Sequence, residues 1–221
     1  VSTSTVTGTR IGGVPGGGGP VKIVLATRNP KKVPEVRSIL EESGVSAEVL
    51  ALDAFPEAPE VPETEPNFIG NALLKARAIA EHTQLPAIAD DSGLSVDELQ
   101  GMPGVLSARW AGRFGAGDQD RANLDLVLDQ LADTPPERRG GQFVCAAVLV
   151  MPDGTEMVAE GVLRGRLLRE RRGENGFGYD PVFVPDGHTV TAAEMTPEDK
   201  NAISHRGIAF RRLASELAAL A

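Results

Sequence analysis

The sequence predicts an α/β protein, a mixed central β-sheet flanked by helices with a β-hairpin extension. Three observations carry that reading. Strand-like and helix-like segments alternate through the first half of the chain. Two long apolar runs, at 142–151 and 156–167, flank Pro152-Asp153-Gly154, a hairpin signal. Once the Gly-rich residues 1–20 are set aside, residues 21–221 have an ordinary globular composition and read as one domain.

The elements follow in order. Residues 1–20 hold seven glycines with Ser, Thr and Pro, and read as a flexible tail that cannot bury apolar surface. The run 21–27 (VKIVLAT) is short and β-branched, as a buried strand should be. Asn29 is placed to cap a helix with Pro30 in its first turn, and Val33, Val36, Ile39 and Leu40 recur at helical spacing up to Gly44. Pro34 would break the interior of that helix, so its start is shifted or kinked. AEVLAL (47–52) is a second strand, and 53–66 is an acidic, Pro-rich loop. Residues 67–83 form an amphipathic helix with Phe68, Ala72, Lys75, Ala76 and Ile79 on one side. PAIAD (86–90) reads as a buried strand ending in acids, 101–117 as a Gly-rich loop, and about 118–132 as a helix. The hairpin follows, then a strand at 181–184 and a C-terminal helix over 204–220.

Composition excludes several classes. No apolar run reaches 18 residues, so no membrane-spanning helix is expected, and the first residues lack the apolar core of a secretory signal. The one cysteine, Cys145, sits in an apolar run and reads as a small core residue, which favours a reducing, cytoplasmic setting. A net charge of −9 speaks against long nucleic acid but leaves room for a small polyanion held by local cations, backbone amides and a divalent metal.

Four segments offer chemistry, and each also has an ordinary structural reading. Thr27-Arg28-Asn29-Pro30-Lys31-Lys32 lies at a strand-to-helix junction, where free N–H groups attract anions. Asp90-Asp91-Ser92-Gly93 puts two carboxylates after an apolar strand. Mg²⁺ takes a few carboxylates plus phosphate oxygens, and one acid can activate water. Residues 174–181 set Phe177 and the sole tyrosine, Tyr179, among glycines, a platform on which a base can stack. Residues 200–207 gather Lys200, His205 and Arg206 before a helix that Ser204 can cap, and a histidine there can titrate near neutrality or donate to a ligand carbonyl or phosphate.

Their conjunction is specific. TxNxxK at 27–32, ETEPNFIGNALLKA at 63–76, ADDSGL at 89–94, GMPGVLSARWAG at 101–112, FGYDPVF at 177–183 and KNAISHRG at 200–207 stand in one order. In that order the chain, from about Val21 to its C-terminal helix, resembles the Ham1/inosine triphosphate pyrophosphatase family. Those enzymes hydrolyse non-standard purine nucleoside triphosphates to the monophosphate and pyrophosphate.

The resemblance implies an ITPase-like (Maf/Ham1) fold, a homodimer and dependence on one or more Mg²⁺ ions. It assigns Thr27, Asn29, Lys32 and Lys75 to the triphosphate, and Asp91 to metal-linked proton abstraction. Glu63 and Asp90 would stand beside the metal, and Ser92 would contact substrate. Phe177 would stack on the purine, with Gly178, Tyr179 and Asp180 shaping its pocket, while Lys200, His205 and Arg206 would meet the base and its 6-keto oxygen. Gly70, where many relatives carry an acid, departs from the pattern, as do Leu106 and Pro34. A non-catalytic nucleotide binder would not require Asp90, Asp91 and Glu63 together.

Overall fold

The computed structural model describes residues 21–28, 32–115 and 117–218. The expected tail at 1–20 and Asn29 lie outside the described residues. Six strands form one sheet: β1 (Val21–Leu25), β2 (Ala47–Ala51), β3 (Ala87–Val96), β4 (Gly140–Val150), β5 (Glu156–Leu167) and β6 (Phe183–Pro185). They lie in the order β2-β1-β3-β4-β5-β6. β1 pairs in parallel with β2 and β3, and the remaining pairs are antiparallel. The parallel half needs helical crossovers, and the antiparallel half needs only turns. The sequence order supplies both.

α1 (Lys32–Glu42) crosses from β1 to β2. Pro34 is the third residue of α1 and so stands in its first turn, where a missing N–H breaks no intrahelical bond. α2 (Phe68–Thr83) carries the chain to β3. Asn67 caps it by accepting the Gly70 N–H at 2.8 Å, and Gln84 ends it in the left-handed region with φ +54°. Ala72, Ala76 and Ala80 face the sheet, so α2 lies close against β3 and β4. Between β4 and β5, the turn residue Asp153 accepts the Thr155 N–H at 2.9 Å.

α1 and α5 (His205–Ala218) cover one face of the sheet through Val36, Ile39, Leu40, Phe210 and Leu213. α2 covers the other. α3 (Gln119–Gln130) packs Leu124 and Val127 against Leu94, Val96 and Phe183 at the far end of β3. α5 approaches β5 so closely that a Cβ on Gly161 would collide with the His205 carbonyl and the Ala209 amide. That contact fixes where α5 begins, and so where His205 and Arg206 stand.

Four expectations change. β3 does not stop at Asp90; each of its ten residues pairs with β4, so the backbone polarity of the Asp-Asp-Ser-Gly stretch is absorbed by the ladder. The loop 101–117 contains 3₁₀ turns at Gly104–Arg109 and Gly112–Gly115. Pro181 and Val182 belong to a 3₁₀ turn (Asp180–Val182), and the strand is Phe183–Pro185. A seven-residue helix, α4 (Pro197–Ile203), precedes α5, capped by Thr196. No helix among the described residues is long and apolar enough to cross a membrane.

Candidate active site

β3 extends beyond the end of β1, which pairs with it only as far as Ile88. Asp90 and Asp91 therefore lie beyond the last β1 pair, buried beside the crevice at the C-terminal end of β1. Successive strand residues point to opposite faces, and the two carboxylates take different partners. Asp90 accepts Lys32 Nζ on both oxygens at 2.8 Å and Arg206 Nε on Oδ2 at 3.3 Å. Burial alone would raise its carboxyl, but the Lys32 and Arg206 charges outweigh burial and hold it down to about 2. Asp91 accepts the Asn71 amide at 3.0 Å and its neighbour Ser92 N–H at 3.0 Å, with Lys75 Nζ 3.8 Å away. Here burial prevails: Asp91 is raised above the ordinary carboxylate value, Lys75 and Asn71 offset only part of the rise, and Glu63 adds to it.

Lys75 reaches from α2 to Glu63 Oε1 at 2.8 Å, and Arg109 donates to Glu63 Oε2 at 3.0 Å. Burial raises Glu63, but these two cations overcome it and leave its carboxyl below the usual value. One ammonium thus brings Glu63 and Asp91 to a common point. Mg²⁺ is held by one or two carboxylates with the remaining positions filled by water and phosphate, and this pair fits that need. Asp90 fits it poorly, since Lys32 occupies both its oxygens. Among the described residues no three His, Cys, Asp or Glu side chains cluster as a ready-made metal cage.

The other end of the cleft is built by the loop 174–180 and the start of α5. Phe177 is 62% exposed, with Lys200 Nζ 4.9 Å from its ring centre. Asp180 is buried and accepts both the Phe177 N–H, at 2.8 Å, and the Lys200 ammonium. Gly178 donates to Asp120 at 3.1 Å. Tyr179 is buried, and its hydroxyl donates to the Ser107 carbonyl at 2.8 Å; burial raises that phenol well above its usual value. It acts as a strut for the pocket wall. Ser204 caps α5 by accepting the Gly207 N–H at 2.9 Å.

His205 differs from its expected titration near neutrality. Its ring stacks on Phe143 with centroids 5.0 Å apart. Burial, then the neighbouring Arg206 and Lys200 charges, push its pKa down to about 3, so it is neutral at pH 7. Arg206 donates to Ser92 Oγ at 3.3 Å as well as to Asp90.

Three cavities run into one another along these residues. A 190 Å³ cavity lies between Phe177, Tyr179, Lys200 and His205. A 560 Å³ cavity follows, lined by Asp91, Glu63 and Lys75, and shares Ser92, Phe177 and Arg206 with the first. A 390 Å³ cavity lined by Thr27, Arg28 and Glu60 shares Lys32, Lys75 and Asp90 with the second. The result is a groove with an aromatic end and a cationic end, and a carboxylate pair between.

Sequence reasoning missed several supports of this groove. Asn71, wholly buried, orients Asp91 with its amide while its carbonyl oxygen accepts the Glu65 N–H at 2.9 Å. Ser107 accepts the Leu94 N–H at 2.8 Å and so ties the 104–109 turn to β3. Asp120 lines the first two cavities, and Arg109 holds Glu63 from outside them. An Asn on the sheet-facing side of an amphipathic helix was the one signal in the sequence that pointed to such a support.

Comparison with known proteins agrees with this geometry. The Ham1 family model matches residues 23–216. A dITP/XTP pyrophosphatase of Frankia alni is 58% identical over 199 residues, covering 89% of this chain and 97% of that protein. One from Streptomyces coelicolor is 56% identical, covering 87% and 94%. The crystal structure of a nucleoside-triphosphatase/dITP/XTP pyrophosphatase from Mycobacterium abscessus shares 55% identity at a TM-score of 0.75, covering 91% of this chain and all of that one. A HAM1 protein from Coxiella burnetii superposes at 0.82 with 38% identity, covering 90% and 99%. The groove, the six-stranded sheet and these likenesses agree: the chain belongs to the Ham1 family.

Proposed function

We propose that this protein hydrolyses the non-standard purine nucleoside triphosphates ITP, dITP and XTP to the monophosphate and pyrophosphate, removing them from the nucleotide pool. The observation that carries the reading is the continuous groove, which joins an aromatic, donor-rich end to a cationic end through Asp91 and Glu63. The relatives named dITP/XTP pyrophosphatase support it.

In this reading the base stacks on Phe177, as bases do on exposed rings. Lys200 and Arg206 donate to its 6-keto oxygen, and adenine, with an amino group there, leaves a donor unpaired. Neutral His205 and the Tyr179–Ser107 bond hold the pocket in shape. Thr27, Asn29, Lys32 and Lys75 meet the phosphates. Asp91, its carboxyl raised by burial and oriented by Asn71, accepts the proton of a water that attacks the α-phosphorus. Pyrophosphate leaves as lysines screen its charge. Glu63 and Asp91 would hold Mg²⁺, which supplies further neutralisation of the phosphate oxygens.

The remaining proposals are coarser. Residues 21–221 act as one domain, with a cytoplasmic setting and no long nucleic acid as ligand. The protein is a homodimer, with the apolar 101–117 region and the hairpin, where Val158 and Val162 of β5 are exposed, as its candidate interfaces. The functional reading is tested by incubation with ITP, dITP, XTP, ATP and GTP plus Mg²⁺. Equimolar monophosphate and pyrophosphate are expected; orthophosphate as product, or equal turnover of ATP, contradicts it.

A further inference from the structure

Asp90 has the most tightly enclosed carboxylate of the groove, with its side chain 1% exposed. Its neighbours are two cations from distant parts of the chain, Lys32 at the start of α1 and Arg206 at the start of α5. Lys32 faces the 390 Å³ cavity and Arg206 the 190 Å³ cavity, so Asp90 stands between the two ends of the groove. Its side chain leaves β3 on the face opposite Asp91, which Asn71 contacts, while Lys75 lines two of the same cavities.

We infer that Asp90 is a charge clasp: a positioning residue that holds Lys32 and Arg206 in one arrangement and competes with bound phosphate for Lys32. The inference rests on placing Lys32 at the phosphates. Two cations drawn to one point repel each other, and a carboxylate between them removes that repulsion and fixes both side chains. The same carboxylate carries negative charge into a site for a polyanion, and so weakens the hold on phosphates in the ground state. Weaker uniform binding is no loss to catalysis when it comes with aligned groups, because only interactions stronger in the transition state speed the reaction. The clasp also ties the base end mechanically to the phosphate end, since Arg206 reaches Ser92 as well.

A metal ligand loses polyphosphate affinity with its charge when Mg²⁺ is present, whereas a clasp gains affinity with or without Mg²⁺. The test is the affinity of Asp90→Asn for inorganic tripolyphosphate, measured by titration calorimetry at low salt in EDTA and again in Mg²⁺, with the same direction expected in both. The clasp predicts binding tighter by at least about tenfold, the scale of one nearby like charge removed. The gain should shrink as salt is added. It also predicts that kcat for dITP falls while KM does not rise. Unchanged or weaker tripolyphosphate binding by the folded variant overturns the clasp, as does a change confined to the Mg²⁺ requirement. Should Asp90→Asn not fold, the comparison is made between Arg206→Gln and the double variant Asp90→Asn/Arg206→Gln, where one fewer cation needs the carboxylate. The same tightening is expected, and no difference overturns the proposal. None of these affinities depends on which products turnover releases, so they can fail while the functional reading stands.

Discussion

Replacing His205 with Phe should remove most of the protein's loss of stability between pH 7.5 and 5.0. In the folded chain the His205 pKa lies at about 3, against a side chain of ~6.5 when unfolded. The folded state therefore binds fewer protons than the unfolded state wherever pH falls below the unfolded value. The stability this neutral ring contributes is fully present above that value and is lost as pH falls toward the folded pKa. Integrated from pH 7.5 to 5.0, the loss is about 2 kcal/mol. The size is set by the unfolded side: any folded pKa below about 4 gives nearly the same figure at pH 5. For a chain of this length, about 2 kcal/mol corresponds to roughly 4–8 °C in Tm. Phe retains the stack on Phe143, seen here at a 16° interplanar angle, and removes the titration. The assay is calorimetric unfolding of protein and variant at both pH values. An equal fall in Tm for the two would refute the argument.

Asp91→Asn should lower turnover of dITP by at least ~10²-fold, as loss of a general base does. Its Tm should hold or rise, because burial already disfavours that carboxylate; circular dichroism and product assay check both. Phe177→Ala should raise KM for ITP by about 5- to 100-fold, the range of one base-stacking contact, with a smaller effect on kcat; initial-rate kinetics decide it. Tyr179→Phe should destabilise by about 1–2 kcal/mol in urea unfolding, because the buried Ser107 carbonyl loses its donor.

The sheet and most helices were legible because their signals are local. The Val, Ile and Leu runs of β1 and β2 alternate with amphipathic helices, and Pro-Asp-Gly marks the turn between β4 and β5. The site was legible as a set of segments, since an anion-binding helix start, an acidic pair and an exposed ring are each visible in one stretch of chain. Their mutual geometry was not. Asp90 and Asp91 read as a pair because they stand side by side at the end of an apolar strand, yet the strand continues along β4 and the two acids point to opposite faces. His205 read as titratable because the Phe143 ring that stacks on it lies more than sixty residues away in sequence. Tyr179 read as shaping the pocket, but its partner was not legible: its hydroxyl donates to the Ser107 carbonyl, 72 residues away. α4 was passed over although Thr196, Pro197 and two acids form a complete helix start. Seven residues are too few for a helical period to stand out between stronger signals.

The proposed function turns on attack of water at the α-phosphorus. Turnover of dITP in ¹⁸O-labelled water, with mass analysis of both products, tests it directly. The account predicts one labelled oxygen in the nucleoside monophosphate and none in pyrophosphate. Label in pyrophosphate, or release of orthophosphate, would contradict it.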